Sequence, residues 1–316
     1  MGKKEDEIEY ALKSGILLFN VESLPELEAI DQVARRIGKK APIAIRVNPD
    51  IDPKTHPYIS TGLKKNKFGI DISQALMAYR LASRSANLEI VGIDCHIGSQ
   101  LLEVGPIIEA LKKLKGLVEE LRKEGIKIRY LDLGGGLGIT YADEEPPHPV
   151  EYASNILDEI LGFDCTLILE PGRVIVGNAG VLIAKVLYNK ENEAKNFVIV
   201  DAGMNDLVRP SYYGAFHQVL PVKEKAREEI VADVVGPICE SSDFLAKDRK
   251  IPRLEPGELM AVMSAGAYGF SMSTNYNSRP RVAEVLVRDD QMFVIREREE
   301  YEDLIRGEKI PEFLKG

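Results

Sequence analysis

Two hydrophobic periodicities alternate along residues 5–183 of the chain. Segments such as 24–38 and 104–125 carry apolar residues three or four positions apart, which predicts amphipathic helices. Short continuous apolar runs separate these helices, and such runs are typical of strands that are buried on both faces of a parallel sheet. The predicted strands lie at 16–23, 42–49, 88–100, 128–136 and 165–173. The pattern therefore predicts an α/β domain.

A polar or glycine-bearing segment ends each predicted strand, for example NVES, CHIGSQ, LGGG and EPGR. Such segments line the active face of a β/α barrel, although a doubly wound sheet also alternates helices and strands. A doubly wound sheet would carry phosphate-binding glycines after its first strand. Here Gly134, Gly135 and Gly136 follow the fourth predicted strand, which favours a barrel. Eight strands close a barrel of this kind, so five strands predict a partial one.

From about Tyr188 the pattern changes to strands without long helices between them. Residues 286–295 are predicted to form a hairpin with Asp289 and Asp290 at its turn. The sequence therefore predicts two domains: a partial β/α barrel over 1–185 and a mainly antiparallel β domain over 186–316.

The composition of the chain argues against some classes of binding partner. The chain has 316 residues and a net charge of −9 without a long basic run, which argues against nucleic acid or an anionic membrane as a partner. Cys95, Cys165 and Cys239 are widely spaced, which suits a reducing compartment and gives neither a disulfide framework nor a zinc spacing. No apolar stretch approaches the length of a transmembrane helix. We therefore expect a cytoplasmic protein without a metal site.

The glycine triplet raises a question about ligands. Consecutive glycines allow backbone N–H groups to point at one anion, often a phosphate. The alternative is a tight turn without a ligand, and the triplet alone does not decide between the two.

Further motifs occur in a fixed order. They are HIGSQ (96–100), GGGLG (134–138), EPGR (170–173), RPSYY (209–213), CESSD (239–243), GAYG (266–269) and YNSRPR (276–281). This set resembles the diaminopimelate decarboxylase family, pyridoxal-phosphate enzymes with the alanine-racemase-type fold, over residues 1 to about 306. The resemblance implies pyridoxal 5′-phosphate as cofactor, a homodimer with shared active sites, and decarboxylation of meso-diaminopimelate to L-lysine and CO2.

The resemblance also implies roles for cofactor-binding residues. Glu170 would face the pyridine nitrogen, where a carboxylate favours the protonated ring and deepens the cofactor's electron sink. His96 would stack against the ring. The phosphate would be held by Ser99, Gly134, Gly135, Gly136, Gly172, Arg173 and Tyr268.

Catalytic and substrate-binding roles follow from the same resemblance. Cys239 would reach across the dimer interface into the partner's site and protonate the substrate at Cα, as a thiol can near neutral pH. Arg209 would bind the distal carboxylate of the substrate, and Glu240 would pair with its distal ammonium group. Further candidate substrate contacts are Arg173, Tyr213, Tyr268 and Tyr276. Cys95 and Cys165 are expected to be small buried residues, and His148 and His217 have no predicted role.

The family carries further segments before the point that matches Met1. The resemblance places three barrel strands there, with the lysine that forms a Schiff base with the cofactor, so we expect an N-terminally truncated chain. Lys64, Lys65 and Lys67 match a different family loop, and His56 is a further candidate for shaping the pocket. Two alternatives stay open: a related basic amino-acid or carboxynorspermidine decarboxylase, and a non-catalytic homologue that regulates a complete partner.

Overall fold

The computed structural model describes residues 1–52, 61–63, 66–161 and 163–315. The chain divides into two compact units. The first comprises Met1–Thr140 and Glu144–Val174, and the second comprises Tyr141–Asp143 and Ile175–Gly316.

The first unit alternates helices and strands, as the hydrophobic pattern predicts. Its elements are α1 (Glu5–Ser14), β1 (Phe19–Val21), α2 (Leu24–Ile37), β2 (Ala41–Asn48), β3 (Ile70–Asp71), α3 (Ile72–Ser83), β4 (Leu88–Asp94), α4 (Gly105–Lys123), β5 (Tyr130–Asp132), α5 (Pro149–Ile160) and β6 (Thr166–Ile168). A one-turn helix, α6 (Arg173–Val176), follows β6.

The strands of this unit form a parallel sheet in the order β1-β2-β4-β5-β6. Each strand therefore pairs with the next long strand along the chain, which is the order of a β/α barrel and not the reversing order of a doubly wound sheet. The predicted α/β class and its five parallel strands are confirmed. The sequence pattern missed the two-residue strand β3, which pairs with β2.

Local signals set the ends of the helices. The Ser23 hydroxyl accepts a hydrogen bond from the Glu26 N–H (3.3 Å) at the start of α2, and Gly38 ends this helix with φ 64°. Asp71 caps α3 by accepting the Ser73 N–H (2.9 Å). The buried faces of the helices pack on the strands and form the apolar core of this unit. This packing holds the strands in place, so that their carboxyl ends lie along one edge of the sheet.

The second unit is mainly β structure. Its elements are β7 (Leu182–Glu191), β8 (Asn196–Val200), α7 (Arg209–Tyr213), β9 (Val219–Pro221), β10 (Glu229–Val235), β11 (Phe244–Pro252), β12 (Leu259–Val262), β13 (Glu284–Arg288), β14 (Gln291–Arg296) and α8 (Tyr301–Leu304). The predicted domain boundary at 185/186 falls inside β7.

One six-stranded sheet of this unit has the order β11-β10-β8-β7-β12-β9. Its pairs are antiparallel except for β8 with β10, so the predicted mainly antiparallel domain is confirmed. Strands β13 and β14 form the predicted hairpin, in which Arg288 pairs with Gln291 and Asp289 has φ 55°. Within the described ranges, no helix combines the length and apolar character that crossing a bilayer requires.

Candidate active site

The loops that follow β4, β5 and β6 are hydrogen-bonded to one another. The Gly135 N–H donates to His96 Nδ1 (3.2 Å), and the Glu170 N–H donates to the Gly134 carbonyl (2.7 Å). The Leu101 N–H donates to the Gly136 carbonyl (2.8 Å). Because the carboxyl ends of adjacent parallel strands share one edge, loops 96–101, 134–138 and 170–173 form one continuous surface.

Close approach of neighbouring atoms explains the glycine triplet. A Cβ atom would lie 2.5 Å from His96 Nδ1 at Gly134, and 2.1 Å from the Glu170 carbonyl oxygen at Gly135. At Gly136 it would lie 2.2 Å from the Gly98 carbonyl oxygen, and this glycine also has φ 107°. Side chains are therefore excluded, and the triplet forms a cradle of bare backbone that suits a phosphate.

The three amides of this cradle differ in their hydrogen bonds. The Gly134 N–H donates to Asp132 Oδ1 (2.9 Å), and the Gly135 N–H is engaged by His96. The Gly136 N–H has no hydrogen-bond partner among the residues that the structure describes. Buried amides require partners, and polar side chains supply two of them here. Among the described residues, Gly136 is thus the glycine of the triplet whose amide has no such bond, and donation by all three amides to a phosphate stays a prediction.

Arg173 and Ser99 lie next to each other beside this cradle. Arg173 is buried at the first position of α6, and its Nη2 donates to Ser99 Oγ (3.1 Å). Gly172 is exposed directly before it. A guanidinium can form paired hydrogen bonds with phosphate oxygens. The structure therefore brings together two side chains that the sequence assigned to the phosphate.

Acidic side chains surround Glu170. Partial burial, followed by the negative charge of Asp132, raises the pKa of Glu170, and Arg46 opposes this rise. Burial and Asp132 also raise the pKa of Asp94 well above its ordinary value. Arg46 donates to Glu22 Oε1 (2.6 Å) and lies 3.9 Å from Asp94 Oδ2. An added cation would be favoured here because it would stabilise the ionised carboxylates.

None of the motifs that carry the family resemblance includes Asp94, Glu22 or Arg46. Their only signal was their position in or directly after the strands. The side chain of Asn20 on β1 joins the group by donating to Asp132 Oδ2 (3.1 Å).

His96 is held as a neutral imidazole. Burial, followed by the positive charge of the nearby Arg46, lowers the pKa of its ring to about 4, and Glu22 opposes this change. Because Nδ1 accepts the Gly135 N–H, the ring proton lies on Nε2. The Thr61 hydroxyl also donates to the His96 carbonyl (2.8 Å), which fixes the backbone at this position.

In the second unit, the loop after β10 carries Cys239 and Glu240. Glu240 accepts hydrogen bonds from the Tyr276 hydroxyl (2.6 Å) and from Ser242 Oγ (2.8 Å), and these bonds lower the pKa of Glu240. Cys239 is exposed, and its N–H donates to Asn277 Oδ1 (3.4 Å). The structure therefore brings three predicted site residues together and keeps Glu240 ionised.

Arg209 is buried at the start of α7. Its Nη1 lies 2.8 Å from His217 Nε2, and its guanidinium carbon lies 4.6 Å from the centre of the Tyr141 ring. The sequence analysis assigned no role to His217 or Tyr141. Neither residue lies in one of the sequence motifs. Their contacts with Arg209 form only in the folded chain.

Two further candidate substrate contacts, Tyr213 and Tyr268, and the two other cysteines lie in the following places. Tyr213 ends α7 and its ring meets Tyr212 edge-on at 4.7 Å, whereas Tyr268 is exposed and has φ 58°. Cys95 is buried as expected, and Cys165 is half-buried.

His148, for which the sequence predicted no role, caps a helix. His148 accepts the Val150 N–H (3.2 Å) at the start of α5. Within the described ranges, no group of three or more His, Cys, Asp or Glu side chains is arranged to hold a metal ion. His56, Lys64 and Lys65 lie outside the described residues.

Residues 1–177 match the family model of the pyridoxal-binding domain of pyridoxal-dependent decarboxylases. The chain is 54% identical over 306 residues to diaminopimelate decarboxylase of Aquifex aeolicus, a match that covers 96% of this chain and 73% of that relative.

Solved structures give the same result. The crystal structure of diaminopimelate decarboxylase from Helicobacter pylori complexed with L-lysine matches with a TM-score of 0.93 and 51% identity, over 97% of this chain and 76% of that chain. The enzyme from M. jannaschii in co-complex with L-lysine matches with a TM-score of 0.92 and 43% identity, over 99% of this chain and 74% of that chain.

Proposed function

Because this chain belongs to the diaminopimelate decarboxylase family of pyridoxal-dependent decarboxylases, we propose that it converts meso-diaminopimelate to L-lysine and CO2 with pyridoxal 5′-phosphate as cofactor. The observation that carries the proposal is the glycine cradle, which is bonded to His96 on one side and to Glu170 on the other. The cradle suits the phosphate of this cofactor, and the Glu170 carboxylate suits its pyridine nitrogen.

We assign the phosphate to the Gly136 N–H, Ser99, Gly172 and Arg173, with Tyr268 as a further hydroxyl donor. Gly134 and Gly135 serve the same site by leaving room for the phosphate, since their own amides bond to Asp132 and His96. Arg173 contributes a permanent positive charge, because a guanidinium does not lose its proton in proteins.

His96 and Glu170 act on the ring of the cofactor. The neutral imidazole of His96 is held rigidly enough to stack against an aromatic ring. Glu170, whose pKa is raised in the cofactor-free chain by burial and by Asp132, gains a favourable partner in a protonated pyridine nitrogen. When bound, pyridoxal phosphate supplies the electron sink that accepts the electron pair left by departing CO2.

The substrate's distal end carries an ammonium group and a carboxylate. We assign the ammonium group to Glu240, which Tyr276 and Ser242 hold as an anion. The distal carboxylate is assigned to Arg209, and Arg173, Tyr213 and Tyr268 are further substrate contacts. A basic amino acid without the second carboxylate would leave Arg209 without this partner, which disfavours ornithine-type substrates.

Cys239 is assigned to proton transfer. Its exposed thiol is accessible to a substrate, and it would donate a proton to Cα after CO2 leaves. We further propose a cytoplasmic homodimer in which Cys239 of one protomer serves the partner's site. In this proposal residues 1–185 bind the cofactor, and residues 186–316 provide Arg209, Glu240 and Cys239.

The test is a substrate panel with pyridoxal phosphate present, run on the protein together with the Schiff-base lysine that the resemblance places before the point that matches Met1. We expect equimolar CO2 and L-lysine from meso-diaminopimelate, measured by trapped CO2 and chromatography, with little CO2 from L-ornithine or L-arginine. Release from ornithine at a comparable kcat/KM would favour a related basic amino-acid decarboxylase. Absence of turnover on every substrate, with cofactor bound, would favour the non-catalytic alternative.

A further inference from the structure

Arg209 is a buried cation, and two of its contacts are with an imidazole and an aromatic ring. The side chain is 7% exposed, and burying a charge is costly unless hydrogen bonds compensate. His217, which is fully buried, lies 2.8 Å from Arg209 Nη1, and the Tyr141 ring lies against the guanidinium at 4.6 Å. Neither of these two contacts brings a negative charge to the guanidinium.

The hydrogen bonds of His217 determine which ring nitrogen carries the proton. Nδ1 lies 2.8 Å from the Met263 carbonyl, which can only accept a hydrogen bond. The proton of the neutral imidazole must therefore lie on Nδ1. Nε2 is then unprotonated, and its lone pair accepts a hydrogen bond from Arg209 Nη1, which can only donate.

Two further contacts hold His217 itself. Its backbone carbonyl accepts a hydrogen bond from Arg249 Nη1 (3.0 Å), and the Met263 N–H donates to the neighbouring Gln218 carbonyl (2.8 Å). The Tyr141 ring meets the imidazole edge-on, at 5.2 Å and 78°. The imidazole is therefore a fixed acceptor with one orientation.

These contacts constrain Arg209 in two independent ways. The Tyr141 ring holds the guanidinium carbon against its face, because a cation favours the face of an aromatic ring. The bond to His217 fixes the direction of one N–H group of the guanidinium. Paired hydrogen bonds to a carboxylate need both the position and the direction of the guanidinium to be correct.

We propose that His217 is a positioning residue, which with Tyr141 orients the Arg209 guanidinium to receive the distal carboxylate of the substrate. This inference rests on the proposed function, since it takes Arg209 as the carboxylate-binding residue. It adds a specificity role for a histidine that touches the substrate only through Arg209.

Two substitutions separate the bonds that His217 makes. His217→Asn retains an N–H near the position of Nδ1 for the Met263 carbonyl and removes the acceptor for Arg209. His217→Gln places an amide oxygen near the position of Nε2 and so restores that acceptor. The two variants therefore form a matched pair.

The readout is ligand binding, measured by calorimetry on the protein with pyridoxal phosphate bound. L-Lysine and 1,5-diaminopentane are the probes, because they differ by one carboxylate. In His217→Asn, the Kd for L-lysine should rise about 10- to 100-fold, the loss expected for a hydrogen bond to a charged group. The Kd for 1,5-diaminopentane should change by less than about 3-fold, and His217→Gln should recover most of the L-lysine affinity.

Steady-state kinetics provide a second readout. His217→Asn should raise KM for meso-diaminopimelate and leave kcat within about 3-fold, as expected when binding common to ground and transition states is lost. Equal weakening of both probes, or unchanged L-lysine binding, would overturn the positioning role. If His217→Asn does not fold, Tyr141→Leu should show the same carboxylate-selective loss, and an equal effect on both probes would overturn the inference.

Measurements on the wild-type protein separate a failure of the proposed function from a failure of the role of His217. A wild type that neither binds L-lysine nor consumes meso-diaminopimelate contradicts the proposed function. A wild type that does both, with an unselective His217→Asn variant, contradicts only the role of His217.

Discussion

Gly135→Ala tests the glycine cradle most sharply, because the added atom meets backbone. The Cβ of an alanine would lie 2.1 Å from the Glu170 carbonyl oxygen, whereas ordinary contact begins at 3.4 Å. One of the two loops must therefore move by about 1.3 Å. The Glu170 N–H bond to Gly134 (2.7 Å) joins the same loops and cannot survive a shift of that size.

The expected cost has two parts. Overpacking costs about 1–3 kcal/mol, and the lost hydrogen bond costs about 0.5–1.5 kcal/mol. We therefore expect the free energy of unfolding to fall by about 2–4 kcal/mol in Gly135→Ala. The affinity for pyridoxal phosphate should fall about 10- to 100-fold, because the Gly136 amide moves with the loop.

Gly116→Ala is the matched control. Gly116 lies within α4, is exposed, and a Cβ there meets nothing within 4 Å. Alanine in a helix is favoured over glycine by about 0.5–1 kcal/mol, so this variant should be slightly stabilised with unchanged cofactor affinity. Urea unfolding and absorbance titration with the cofactor measure both quantities. A Gly135→Ala protein with wild-type stability and wild-type affinity would refute the steric argument.

Three further predictions concern charge. Glu170→Gln keeps the side-chain size and removes the negative charge, so kcat should fall about 100-fold or more while absorbance still shows bound cofactor. Burial lowers the pKa of His96 to about 4, below its unfolded value near 6.5, so the unfolded chain binds the proton more readily. Stability of the cofactor-free protein should therefore fall as pH drops from about 6.5 to about 4, and His96→Gln should flatten this loss in urea unfolding. Arg281 lowers the pKa of Glu299 to about 2. The stabilisation that this ion pair gives the folded protein is therefore complete above about pH 4.5 and disappears as the pH falls towards 2. Glu299→Gln should therefore cost about 1 kcal/mol at pH 7, and its unfolding free energy should converge with that of the wild type near pH 2.

The sequence predicted the long elements of the fold because burial dictates their pattern. Parallel strands such as β4 are covered on both faces and appear as continuous apolar runs. Strand β11 lacks such an apolar run, because its centre, Lys247 to Lys250, is charged. This strand lies at the edge of its sheet, where charged side chains protect against unwanted pairing. Strand β3 and helix α7 are short, and tertiary contacts rather than local pattern define them.

The site was predictable where a motif carries the chemistry. The resemblance that the glycine triplet and EPGR help to carry predicted a phosphate site, which stays a prediction. The structure joins the glycine loop to His96 and to the EPGR loop by hydrogen bonds. The bonding of the cradle amides was not predictable, because Asp132 and His96 reach them only in the folded chain. The same holds for His217, whose bond to Arg209 depends on the turn after α7.

A crystal structure of the protein with pyridoxal phosphate is the most direct test of the central claim. We predict the phosphate within hydrogen-bond distance of the Gly136 N–H and the Arg173 guanidinium, with the pyridine nitrogen next to the Glu170 carboxylate and the His96 ring against its face. A cofactor bound at another surface, with the cradle closed by its own hydrogen bonds, would contradict the account.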